Sequence, residues 1–399
     1  METILNWAGT MAIYLPVFIF SSSFFILAER RLNKGQKGKA SLFMEIGILA
    51  LCILATLRSD AVGTDVEIYA KPTFKSISQG SSLFLTGAAV QVDFGYAFLA
   101  YVSAKLFNSF RVFLFLTEFC ILAPIAACAM KNQKNASAAL TMILYMLMYY
   151  LMGFNIMRQS IAVSFLMLGY FYWQEKKKFK TLLNVIISFL FHGSVVIMLV
   201  MLVVILRISR MPSKLKRNLI LTAIATALAL VAMQWERIMS WAMYDAGLLP
   251  TKYAIYLTIF SGNDRSSELF RMGGWEWPEY AIRICNVVLP LVYTYKKRLK
   301  SNELLLYRYS SYASLLIYSW VFLTLKTNYG YRLVMGLDYM NCFYFATLVS
   351  KASSRNKGSR RKYTISTGEM AAGLYALCYW FLIYFYFGMH EVVPYTIAA

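Results

Sequence analysis

Apolar residues come in long runs along this chain, and short basic clusters separate them. The runs Tyr14–Ala28, Val112–Met130, Ala136–Met152, Leu304–Leu325 and Gly368–Gly388 approach the roughly 20 residues that cross a bilayer as a helix. The pattern predicts an all-α polytopic integral membrane protein, one transmembrane domain over residues 1–399. Its spans fall near 8–28, 42–57, 112–130, 136–152, 155–173, 218–234, 279–295, 304–326, 332–350 and 368–388, about ten in number. Two stretches are too short to cross. "FGYAFLAYVSAKLF" (94–107) carries Lys105 and reads as an amphipathic or re-entrant helix on the outer side. Residues 181–206 run between two basic clusters, where two full crossings would need about 40 residues. They predict a hairpin of two short helices turning near "FHGS", with His192 at the tip facing a wet cavity. A single helix that leaves one basic cluster outside is the alternative.

Composition supports this reading. The hydrophobic fraction is 59% and the charged fraction 15%, with a mean hydropathy of +0.54. Soluble domains hold roughly 45–50% apolar residues. The net charge of +21 raises the question of nucleic acid, but the bases gather at 30–39, 176–180, 207–217, 296–300 and 351–362. Short basic loops between apolar runs are the positive-inside pattern, which meets anionic lipid headgroups, so no nucleic-acid partner is expected. With these clusters inside, the N-terminus, segment 58–93, loop 235–278 and the C-terminus fall outside. The first run lacks a basic leader and a small-residue cleavage site, and reads as a retained helix. The six cysteines form no C-x-x-C pair and read as buried free thiols.

Counting crossings makes "KNQKN" (131–135) an inner turn and "GFN" (153–155) an outer one. Arg158 then lies about one helical turn below the outer surface. Arg58, His192 and Arg332 fall at the same level from separate parts of the chain. Arginine is disfavoured there, and a cluster of arginines favours an anionic ligand held by paired hydrogen bonds. Each has a plain alternative. Arg58 pairs with Asp60 or is solvated, Arg158 pairs with an acid of the external segment, and Arg332 does the same or pairs with Asp338. His192 is then a hydrogen-bonded core histidine, and His390, beside Glu391, is structural. In "RSDAVGTDVEIYA" (58–70), Gly63 permits a tight turn, and Thr64 or Asp65 can cap the next helix. A sharper role for Asp65 is to orient a sugar hydroxyl, accept its proton, or hold an arginine. Trp275 and Trp277 could stack on sugar rings or join an interfacial belt. No phosphate loop, dinucleotide fingerprint or metal-binding histidine cluster is present, and no cofactor or metal is expected. Outer carboxylates leave a divalent ion open, but no spacing argues for one.

Four motifs, in order, carry a resemblance. They are "R…GTD…Y" (Arg58, Gly63, Thr64, Asp65, Tyr69), "GY" (Gly95, Tyr96), "N-x-x-R-Q-x-I-A" (Asn155, Arg158, Gln159, Ile161, Ala162) and "FH-x-S" (Phe191, His192, Ser194). Over roughly 50–210 the chain resembles the EpsG-like, Wzy-type bacterial polysaccharide polymerases. The C-terminal half is similar mainly in hydropathy and in Arg332. The resemblance implies an enzyme of the bacterial cytoplasmic membrane, multi-pass and active at its outer face. Such enzymes join repeat units carried on undecaprenyl diphosphate, with a fold similar to polyprenyl-dependent membrane glycosyltransferases. Donor and acceptor are both lipid-linked oligosaccharides, and a chain-length regulator is a further partner. On this reading His192 is the base, Arg158 and Arg332 hold the diphosphate, Arg58 and Gln159 assist, and Asp65 orients the acceptor or an arginine. Asp60 and Tyr69 complete the substrate-binding set. The alternatives are a flippase or transporter of lipid-linked oligosaccharide and an O-antigen-ligase-like transferase.

Overall fold

A computed structural model of the protein describes residues 2–90, 92–233, 235–247, 276–296, 302–324, 330–355 and 366–398. All regular elements among them are helical, apart from one isolated bridge between Arg58 and Ile397. Two compact units form. The first comprises Met1–Val196 with Cys342–Ala399, and the second Ile197–Asn341.

The first unit begins with a helical hairpin, α1 (Glu2–Asn33) and α2 (Lys37–Leu57). Gly35 turns the chain with φ 75, a value glycine adopts without a steric penalty. Gly47 lets α2 close on α1, since a Cβ there would sit 2.5 Å from the Phe25 ring. After a π-helical turn (Val66–Ala70), the segment 58–93 forms α3 (Lys71–Ser78) and α4 (Leu83–Val90). α5 (Phe94–Phe107) matches the short helix expected, and ends on Asn108 in the left-handed region. Ser109 then caps α6 (Phe110–Lys131) by accepting from the Val112 amide. α7 (Ala138–Tyr145) is shorter than the span predicted for 136–152. It loosens into a π turn (Met146–Tyr150) and a 3-10 turn (Leu151–Phe154). Its N-terminus is held by Ser137 and by Glu29 of α1, which accepts from the Ala139 amide at 2.9 Å.

α8 (Met157–Gln174) and α9 (Lys178–Phe191) are antiparallel neighbours. At one end Gly169 admits Asn184, whose Cβ would lie 3.3 Å from an added methyl. There Glu175 joins Lys131 at 2.8 Å and Lys177 at 2.7 Å. α10 (Val195–Ser209) follows after a break at His192–Ser194, so two short helices stand where the hairpin was expected. α11 (Lys214–Met233) and α12 (Trp235–Ser240) come next, and α12 runs into a π turn to Asp245. Residues 248–275 of the expected external loop, with Trp275, lie outside the described residues, as do 297–301 and 356–365 of the basic clusters. The Trp277 side chain lies outside them too.

In the second unit, α13 (Glu276–Lys296), α14 (Asn302–Thr324) and the start of α15 (Gly330–Arg355) share polar contacts. Tyr280 donates to the Tyr318 carbonyl at 2.7 Å, and the Tyr318 hydroxyl donates to Asp338 at 2.6 Å. Asp338, offered as a partner for Arg332, is therefore engaged by Tyr318. α16 (Thr367–Trp380) returns to the first unit behind a capping box of Ser366 and Glu369. It packs Trp380 on Tyr14 and Phe18.

Among the described residues, four helical stretches are long and apolar enough to cross a membrane: Thr3–Asn33, Lys37–Leu57, Phe110–Lys134 and Thr367–Tyr386. The predicted spans 155–173, 218–234, 279–295, 304–326 and 332–350 coincide with α8, α11, α13, α14 and α15, and 136–152 is interrupted. Ile19, Phe20, Leu42, Leu49 and Ile53 are exposed on the α1–α2 hairpin. Apolar surface of this kind suits a lipid-facing helix and is rare on a soluble monomer.

Candidate functional site

The loop between α2 and the first π turn holds the densest polar motif. Its shape depends on Gly63, which sits at φ 88 against the Phe154 carbonyl, where a Cβ would come to 2.5 Å. A left-handed turn at that approach leaves room only for glycine. The turn sets Asp65 ahead of the Val66 turn, yet the Asp65 side chain makes no capping hydrogen bond. The Thr64 hydroxyl instead donates to Glu391 at 2.8 Å. The capping role is therefore not the one Asp65 takes.

Arg58 departs most from expectation. It is 1% exposed, with its guanidinium 4.1 Å from the Phe154 ring centre and Nη2 3.6 Å from the Met157 sulfur. Its Nε and Nη1 have no hydrogen-bond partner among the described residues. Burial lowers its pKa, with Glu118 the largest opposing influence. It is neither solvated nor paired with Asp60, and it makes no surface contact with a substrate in this conformation. The cause is the stacking of Phe154 and Met157 over it and the closing of the chain at the bridge to Ile397. Asp60 instead meets Lys71 at 2.7 Å and Arg111 at 3.5 Å, a surface ion cluster. Its hydrogen bond to Lys71 raises the lysine pKa.

Arg158 stands at the second position of α8. Its guanidinium lies 4.0 Å from the Tyr69 ring centre and 3.9 Å from Asp93 Oδ2. Its side chain is 13% exposed and that of Asp93 23%. The plain alternative for Arg158, an acid of the segment 58–93, thus holds at long range. Tyr69 offers its ring to the arginine. Gln159 is buried at 5% exposure. Tyr96 ties the group together. Its hydroxyl reaches the Met157 sulfur at 3.5 Å. Burial raises its pKa, Asp65 adds to the rise, and Arg158 and Arg58 oppose it.

His192 ends α9 in an extended conformation. The Ser188 hydroxyl, four residues earlier, donates to the carbonyl of Ala162, four residues after Arg158. On antiparallel helices, His192 and Arg158 are therefore each about one turn beyond the same bond, at the same end of the pair. Gly95 brings α5 to that end too, since a Cβ there would lie 2.9 Å from the Leu190 carbonyl. The Ser194 amide donates to His192 Nδ1 at 3.2 Å, with the Ser194 hydroxyl 2.8 Å away. A neutral imidazole that accepts at Nδ1 carries its proton on Nε2. In that tautomer Nε2 is a donor, so the ring as placed suits donation to an anion better than removal of a proton.

The structure thus gathers Tyr69, Asp93, Tyr96 and Arg158, with Asp65 as an electrostatic neighbour, and sets His192 at the same end. Arg332 lies half-buried in the first turn of α15, in the second unit. Among the described residues, no group of three His, Cys, Asp or Glu side chains is placed to hold a metal. Sequence reasoning missed Glu118, buried at 1% inside α6. A lone acid in an apolar run was its signal. It also missed Arg111, whose Nη1 donates to the Arg58 carbonyl at 2.7 Å. The model of the EpsG family matches residues 41–397, nearly the whole chain. Neither a curated protein nor a solved structure matches.

Proposed function

The chain belongs to the EpsG family of Wzy-type polysaccharide polymerases, and from that premise we propose that it joins oligosaccharide repeat units carried on undecaprenyl diphosphate at the outer face of the bacterial cytoplasmic membrane. The observation that carries this reading is Arg158. It is a mostly buried guanidinium, stacked on Tyr69 and only 3.9 Å from Asp93, at the N-terminus of the 18-residue helix α8. The first-turn amides of a helix favour an anion, and arginine adds a fixed charge with two parallel donors.

An acceptor sugar hydroxyl attacks the anomeric carbon of the growing chain. The carbon–oxygen bond to the lipid diphosphate breaks, and the bonding pair leaves on that oxygen. Arg158 holds the diphosphate and stabilises its growing charge. His192 donates from Nε2 to a phosphate oxygen, a role opposite to the base expected from sequence. The proton of the acceptor hydroxyl goes to the Asp65 carboxylate. Arg58 acts from behind the wall by its charge, and Gln159 supports the start of α8. Arg332 stands in the other unit, and no step runs through it.

The test is complementation of cells that lack this gene, with polymer resolved on gels. Asp65→Asn and Arg158→Ala should each lower polymer yield by about a hundredfold or more, as lost transition-state charge stabilisation does. Normal ladders from both variants, at wild-type membrane levels, would refute the site. A product one repeat unit longer and no further would mark a single transfer instead of polymerisation.

A further inference from the structure

The segment after α16 does not trail away. Residues Glu391–Ala398 lie along the loop that carries Arg58, Gly63, Thr64 and Asp65. The Ser59 amide donates to the Thr396 carbonyl at 2.7 Å, and the Ala398 amide donates to the Leu57 carbonyl at 2.9 Å. Arg58 and Ile397 form the bridge between them. At the far end of the loop, the Gly63 amide donates to the Glu391 carbonyl at 3.0 Å, and the Thr64 hydroxyl donates to the Glu391 carboxylate at 2.8 Å. The segment is anchored beneath. Tyr14 donates to the Val392 carbonyl at 2.8 Å, the Tyr395 amide to Thr10 at 2.9 Å, and the Tyr395 hydroxyl to the Leu54 carbonyl at 2.5 Å.

Glu391 is the point of closest control. It and His390 both hold positive φ, 52 and 69, a region that side chains other than glycine rarely enter. Strain of this kind persists where surrounding contacts over-determine the backbone. Here it turns both the carbonyl and the carboxylate of one exposed residue onto adjacent residues of the loop. Fixing Gly63 and Thr64 fixes the direction in which Asp65 leaves the turn.

We propose that Glu391 is a positioning residue for the reaction, acting through Thr64 to aim Asp65, with residues 391–398 as the clasp that holds the loop. The inference rests on the reading of Asp65 as part of the site. It identifies a requirement outside the region where the motifs lie.

Four variants test it in the same complementation assay: Glu391→Ala, Glu391→Gln, Thr64→Val and the Thr64→Val/Glu391→Ala double. Loss of a hydrogen bond to a charged acceptor should lower polymer yield by about ten- to a hundredfold in Glu391→Ala and in Thr64→Val. The double variant should be no worse than either single one, because both remove the same contact. Glu391→Gln keeps an acceptor oxygen and should retain most of the yield. Hydrogen exchange on the purified full-length protein gives a readout independent of activity. In Glu391→Ala, a peptide covering 58–66 should exchange several-fold faster, with α1, α2 and α8 at wild-type rates. Wild-type yield from Glu391→Ala overturns the proposal. So does a loss in Glu391→Gln equal to that in Glu391→Ala, or faster exchange throughout the first unit, which would mark a general structural role. Asp65→Asn, run in parallel, separates the failures. If it polymerises normally the site reading falls and this inference with it, whereas an inactive Asp65→Asn beside an active Glu391→Ala overturns the inference alone.

Discussion

Replacing Arg58 with methionine should leave the end of α2 no looser, by a balance the structure allows one to work out. The guanidinium lies 4.1 Å from the Phe154 ring centre, and a desolvated cation–π contact contributes about 2 kcal/mol. Against this stands the relief of Nε and Nη1, which lack hydrogen-bond partners among the described residues. Each unsatisfied buried donor costs about 1–3 kcal/mol, or about 2–6 kcal/mol for the two. The balance favours methionine by up to about 4 kcal/mol. Cys52, fully buried on α2, is a native reporter. Its labelling by a maleimide in detergent, read by mass spectrometry of its peptide, should be no faster in Arg58→Met than in the wild type. Polymer yield should fall all the same, because the charge behind the site is lost. Arg58→Lys should retain more polymer, since lysine keeps the charge but not the planar face. Labelling accelerated tenfold or more in Arg58→Met, or normal polymer from it, would refute the view of Arg58 as a buried cation kept for its charge.

Two further predictions concern the ends of the α8–α9 pair. Gly95→Ala places a methyl 2.9 Å from the Leu190 carbonyl, and overpacking of this kind costs about 1–3 kcal/mol. Polymer yield should fall at unchanged membrane level, and wild-type ladders would show that α5 need not seat tightly on α9. At the opposite end, hydrogen bonds from Lys131 and Lys177 lower the Glu175 pKa below its ordinary carboxylate value. The linkage then has a definite sign: this contact stabilises fully above the ordinary value and is lost as pH falls through the lowered one. Protection at 174–178, taken relative to the intrinsic exchange rate at each pH, should be steady down to about pH 5 and fall below about pH 4, a fall that Glu175→Gln should abolish.

Much of the helical pattern was legible because bilayer thickness ties helix length to apolar run length. The short α5, the break at His192–Ser194 and the placing of Arg158 in the first turn of α8 all followed from run length and charge. Burial at helix ends was not legible in this way. Parity counting places Arg58 at a boundary and so assumes that water reaches it. In the structure Phe154 and Met157, about a hundred residues later in the sequence, cover it. Hydropathy likewise assigns Glu391 to a polar tail, because nothing local reveals that residues 391–398 return to the α2 loop. The His192 tautomer lay beyond sequence for another reason: it depends on the direction of one amide, that of Ser194.

These placements divide the four cations and imidazoles first grouped at the outer level. Arg58 and Arg158 carry the same charge but differ in what a diphosphate could do with them. To reach Arg58, a ligand would have to displace Phe154 and Met157 and separate the bridge to Ile397, exchanging several packed contacts for one ion pair. Arg158 is the more accessible of the two, its side chain 13% exposed and facing Asp93 at 3.9 Å, a distance beyond ordinary hydrogen bonding. A dianionic phosphate with paired acceptors outcompetes one carboxylate at that range, since charge-assisted bidentate bonds are short and strong. Asp93 thus faces the guanidinium by charge while Tyr69 meets its plane. The same geometry explains the GTD loop. Gly63 brings its backbone against Phe154, four residues before Arg158, so the turn that aims Asp65 and the helix that presents Arg158 share one contact. A change at either side of that contact therefore moves both groups together.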